Sequence, residues 1–116
     1  MRRCRYKMVR GDAFSIAFLN VALPVIEDED GMDKYEITDK DILSFVLGRK
    51  GRDEVLVKTY PGEIEKDGDT FFVNLTAEET EKIPCLLYRM QLIVDLEGLG
   101  EEVYTLVDKE MEVVAK

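Results

Sequence analysis

The 116-residue chain has no histidine and no tryptophan, and only two cysteines and three prolines. Each shortage excludes something. A nucleophilic triad built without His would have to use Lys or a carboxylate as its base. No Ser or Cys lies in a nucleophile-elbow setting such as GxSxG. Cys4 and Cys85 are far apart and form no CxxC pair, so they supply neither a disulfide scaffold nor a structural zinc site. They are read as two reduced thiols, with Cys85 semi-buried beside Pro84. A bridge between them is left open, although no secretory signal argues for one. No apolar run approaches the ~18 residues of a membrane-spanning helix. The basic start, MRRCRYKM, is followed by no apolar run or small-residue cleavage site, so it is not a signal peptide.

What is present is charge. Sixteen basic and twenty-five acidic residues leave a net charge of −9. Phosphate backbones would repel such a surface, which excludes general nucleic-acid binding. The one basic cluster, Arg2, Arg3, Arg5 and Lys7, reads as a solvated tail or a charged edge strand. A docking site for an acidic partner is the sharper alternative. With 46% apolar and 35% charged residues, the composition is that of a soluble globular domain. One domain is expected over residues 1–116, burying roughly two-thirds of its unfolded surface.

The chain then reads as strands. In MVRGDAFSIAF, Phe14, Ile16 and Phe18 alternate with Ala13, Ser15 and Ala17, the period of a strand with one buried face. Arg10-Gly11-Asp12 matches the tripeptide that adhesion ligands show to integrins, but here it leads directly into that strand. Gly11-Asp12 is therefore read as a bend. EDEDGMDKYE is an acidic hairpin turn centred on Gly31. Ile42 to Leu47 is a strand, residues 48–53 form a Gly-flanked loop, and Glu54 to Tyr60 returns as its partner. Pro61-Gly62 and Lys66-Asp67-Gly68-Asp69 are turns on either side of a short ladder. Thr70 to Leu75 presents Phe71, Val73 and Leu75 to the core. Thr76 with Glu79 makes a capping box for a short helix at about residues 77–83, which Pro84 stops. Leu87 to Asp95 buries Tyr88, Met90, Leu92 and Val94. After a turn at 97–101, residues 102–107 and 110–114 form two short strands or one bent strand. About seven strands and one short helix predict an all-β, antiparallel sandwich. Without the Cys…Trp…Cys pattern it is immunoglobulin-like in architecture only.

Candidate chemistry is thin. An EF-hand loop aligned on Gly31 gains Asp28 and Asp30, but Ile26 and Ile37 fall where essential ligands belong, so a solvated turn is preferred. GRKGRD lacks the helix and Lys-Ser/Thr signature of a phosphate loop. Paired carboxylates arise by chance among twenty-five acids, so they do not argue for glycoside hydrolysis. Tyr35, Tyr60 and Phe72 fall off the inward registers, too scattered for a sugar-stacking platform. No catalytic, cofactor-binding or metal-ligating residue is assigned, no cofactor is expected, and the chain is read as a non-enzyme.

The order of the pieces carries a resemblance. Arg10-Gly11-Asp12-Ala13-Phe14-Ser15-Ile16-Ala17-Phe18 is similar to an "rGD-x-F-x-hydrophobic-x-F" opening, and Asp28-Glu29-Asp30-Gly31 to an acidic-Gly hairpin. Asp39-Lys40-Asp41-Ile42 is similar to a lead into the next strand. Val73-Asn74-Leu75-Thr76-Ala77-Glu78-Glu79-Thr80 is similar to "strand, L-T-x-E-(D/E)-T, short helix". Tyr88-Arg89-Met90-Gln91-Leu92 and Tyr104-Thr105-Leu106 follow in the same order. Together, over residues 8–114, they resemble the small immunoglobulin-like proteins of phage and prophage structural gene clusters, in the style of the N-terminal domain of siphophage baseplate upper proteins. Arg89, Cys85-Leu86 and Lys109-Glu110 depart from that pattern. The resemblance implies a tail or baseplate structural or assembly module. Its expected partners are other phage structural proteins or a second copy of itself, with neither nucleic acid nor membrane. It would be found in the virion or the host cytoplasm. A carbohydrate-binding or host-adhesion module is the alternative, and an assembly chaperone absent from mature particles is a third.

Overall fold

Alternating apolar side chains and turn-forming Gly and Pro resolve into strands throughout the computed structural model, which describes residues 5–19, 21, 27–28, 31–32, 37–49 and 54–116. The elements are β1 (Arg5–Val9), β2 (Phe14–Phe18), β3 (Glu27–Asp28), β4 (Gly31–Met32), β5 (Ile42–Gly48), β6 (Glu54–Tyr60), β7 (Glu65–Asp67), β8 (Thr70–Leu75), α1 (Ala77–Glu81), β9 (Leu87–Asp95) and β10 (Val103–Val114). Strands β1-β10-β9-β5-β6 form a five-stranded sheet and β2-β8-β7 a three-stranded one, while β3 and β4 pair as a small hairpin. The all-β sandwich expected from the sequence is therefore the fold.

Two details differ from expectation, the direction of β1 and the end of the helix, and two alternatives left open are decided. The pairing is antiparallel except that β1 runs parallel to β10, from Arg5 opposite Glu110 to Val9 opposite Val114. Of the two readings of the basic start, the edge strand is the one that holds for residues 5–9. The helix stops at Glu81 rather than at residue 83. Residues 103–114 form one strand, with a register shift between Thr105 and Val107.

The core lies between the sheets. Leu43, Phe45 and Leu47 of β5 and Met90, Leu92 and Val94 of β9 are completely buried. Opposite them lie Phe71, Val73 and Leu75, at most 2% exposed. Two ring contacts join these core groups: Phe18 to Phe45, centroids 6.1 Å apart, and Tyr60 edge-on to Phe71 at 5.4 Å. Burying a side chain of this size stabilises by about 2–3 kcal/mol. Tyr60 is thus part of the core packing, and its expected outward placement is corrected: it lies opposite Leu43, which faces inward.

Candidate interaction surfaces

The Arg-Gly-Asp stretch is a turn that carries the chain from one sheet to the other. The Asp12 N–H donates to the Val9 carbonyl at 3.1 Å, and Gly11 adopts φ 90°. A positive φ at the third residue of a turn is the conformation that glycine takes without a Cβ penalty. The short helix then holds this turn in place. The Thr80 hydroxyl, fully buried, accepts from the Gly11 N–H at 3.1 Å and donates to the Asp12 carbonyl at 2.8 Å. Arg10 Nε donates to the Glu81 carbonyl at 2.8 Å. The Asp12 carboxylate pairs with Lys116 at 2.8 Å, and this contact raises the Lys116 pKa above its ordinary value. All three residues are tied to other parts of the sandwich, so the tripeptide is a structural link, as its place before β2 suggested.

The helix is fixed at both ends. Glu79 N–H donates to the Thr76 hydroxyl at 3.1 Å and Thr76 N–H to the Glu79 carboxylate at 3.0 Å, completing the capping box. The other Glu79 oxygen meets Lys58 of β6. Lys58 side chain is only 13% exposed, because β6 turns it inward opposite Phe45. Its bond lowers the Glu79 pKa, with the Thr76 backbone bond adding to the effect. Beyond the helix, the Tyr88 hydroxyl donates to the Pro84 carbonyl at 2.7 Å. A tyrosine at the start of a strand bonding back to the preceding loop is a recurring corner of immunoglobulin-like sandwiches. Burial raises the pKa of this phenol.

At the far end of β9, buried Asp41 joins two turns. Its carboxylate accepts from the Thr38 N–H at 2.9 Å and from the Glu97 N–H at 2.9 Å. Glu97 has φ 57°, the one positive value at a non-glycine residue among those described. Two donors into one buried carboxylate offset part of that backbone cost.

The sequence placed several candidate features that the structure locates differently or not at all. Cys85 is exposed rather than semi-buried, because the loop after Pro84 turns its side chain outward. Cys4, Tyr35, Asp30 and Ile26 lie outside the described residues, so the bridge, part of the calcium loop and one aromatic have no structural account. The acidic segment does form a hairpin, with Asp28 opposite Gly31. Arg89 and Asp108 pair side by side on the exposed face of the five-stranded sheet, which raises the arginine pKa and lowers that of the acid. Lys58 was not singled out by sequence, and Asp41 and Tyr88 entered only within longer stretches, without the bonds they make. The only signal for Lys58 was its parity with Leu56 and Tyr60 in the strand.

Depressions in this surface are shallow. One of about 400 Å³ is lined by Arg10, Gly11, Glu81 and Lys116, which take part in the contacts described above, together with Cys85 and Ala115. Among the described residues, no three His, Cys, Asp or Glu side chains lie close enough to hold a metal ion, and no helix is long and apolar enough to cross a membrane. No protein-family model matches the chain, and no curated protein matches it.

Proposed function

We infer that the chain is a non-enzymatic module of a phage or prophage tail or baseplate, structural or acting in assembly, that works through protein–protein contacts. What supports the reading is the order of the motifs together with one observation. The most telling stretch of the resemblance, residues 73–83, is bonded through Thr80 to Gly11 and Asp12 of its opening stretch. They form one structural unit, which accounts for their occurring together. Fold alone carries no function, so the test is location. Induced lysates are fractionated and purified particles analysed by mass spectrometry. The protein in intact particles supports a virion component; abundance in the lysate with absence from particles points to an assembly factor in the host cytoplasm.

The carbohydrate-binding or host-adhesion alternative gains no platform from Tyr60, whose ring packs edge-on with Phe71. Saturable binding on a glycan array would restore it.

A further inference from the structure

Four strands end the two main sheets: β1 and β6 in one, β2 and β7 in the other. Edge strands invite pairing with another chain unless charge, brevity or a bulge discourages it. Three of the four are guarded. β7 has only three residues, Glu65, Lys66 and Asp67, all charged. β1 carries exposed Lys7 at its centre. β6 is bulged next to its start, where the register shifts between Leu47 and Gly48. Its other end is covered by Glu63, whose carboxylate accepts from the Thr59 N–H at 3.4 Å and whose own N–H donates to the Thr59 carbonyl.

Among the described residues, β2 has none of these devices. Its five residues, Phe-Ser-Ile-Ala-Phe, include no charge and no proline, and they pair with β8 in unbroken register. The core is also thin beneath it. Val73 and Leu75 of β8 are 0% and 2% exposed, but Ile16 and Phe14 directly opposite them are only half-buried. Just beyond the strand, Leu19 is 70% exposed. Two residues further on, the Val21 N–H donates to the Asp69 carbonyl at 3.1 Å, beside the turn between β7 and β8.

The order of residues in β2 identifies the partner. Read from either end, the strand is large, small, large, small, large. A two-fold axis through Ile16 sets Phe14 against Phe18, Ser15 against Ala17 and Ile16 against Ile16 of a second copy. A two-fold interface requires this kind of self-complementary patch. At a net charge of −9, two copies repel each other, and an uncharged strand is where they approach at least electrostatic cost. We propose that the protein self-associates by antiparallel pairing of β2 with β2 of a second copy, joining two three-stranded sheets into one of six strands. This rests on the reading of the chain as a protein–protein module and names one of its partners. The paired length is roughly 17 Å for five residues, so the contact falls below the ~1,200 Å² of a stable interface and belongs to the weak, reversible class.

Sedimentation equilibrium of the purified chain between about 10 μM and 1 mM tests it, the range in which so small a contact would be populated. The expected result is a monomer–dimer equilibrium. The double variant Ser15→Glu/Ala17→Glu changes two exposed positions that face away from the core, and under the proposed axis it sets Glu opposite Glu twice. Dimerisation is expected to weaken on the order of ten-fold, as like charges directly opposite do in antiparallel pairs. The matching double variant Ser15→Lys/Ala17→Lys, mixed with the Glu variant, is expected to restore the dimer as a mixed species. Circular dichroism melts establish that both variants fold. A wild-type chain that stays monomeric to 1 mM, or a Glu variant that dimerises as well as the wild type, overturns the proposal. Neither of those results touches the tail-module reading, which stands or falls on the particle analysis.

Discussion

Thr80 is the side chain on which two distant stretches of the chain depend. Its hydroxyl is fully buried and bonded to both Gly11 and Asp12. Thr80→Val keeps the shape but leaves the Gly11 N–H and the Asp12 carbonyl without that partner. The expected loss is about 1–3 kcal/mol, read as a lower urea midpoint at unchanged slope. Glu79 supplies a prediction in pH. Lys58 and the Thr76 backbone hold its folded-state pKa below the ordinary 4.5. A carboxylate with a depressed folded pKa contributes stability above its unfolded pKa, and that contribution is lost as pH falls through the folded value. Glu79→Gln is therefore expected to lower stability at neutral pH and to flatten its decline below about pH 4.5, measured by chemical denaturation at a series of pH values.

Among elements, the segment from β8 through α1 to β9 was the most legible in sequence. Thr76 and Glu79 stand at capping-box spacing, and both strands alternate without interruption. Such signals are local, so the chain itself displays them. The parallel partner of β1 was not legible, because nothing in Arg5–Val9 specifies which strand will lie beside it. Lys58 was opaque for a related reason: a charge turned inward makes sense only once Glu79, twenty-one positions on, is known to meet it. Cys85 was misjudged because its neighbours Pro84 and Leu86 say little about the path of an irregular loop. The loop between α1 and β9 is pinned by the Tyr88 hydroxyl instead. Tyr88→Phe removes that bond alone. A cost of about 1 kcal/mol is expected, together with faster amide hydrogen exchange in residues 82–86 measured by NMR.

For the molecule as a whole, charge sets the conditions of association. A chain of net charge −9 meets long-range repulsion from each further copy, which salt screens over about 8–10 Å at physiological ionic strength. Raising the salt from 50 to 500 mM is expected to tighten pairing between copies several-fold, with sedimentation as the readout. Weakening on added salt would indicate that opposite charges hold the copies together. Under the proposed pairing, this screening acts at β2, the edge strand without charge among the described residues.

The parallel pairing of β1 with β10 also orders the protein's synthesis. Met8 is completely buried beside Val113, and β10 lies on the far side of every other strand in sequence. On the ribosome, the β5–β6 hairpin and the strands up to β9 can assemble as they emerge, but β1 cannot take its place beside β10 until β10 has been translated. The five-stranded sheet therefore closes only once β10 has emerged, and until then β1 waits without its partner strand, open to whatever acidic surface it meets first.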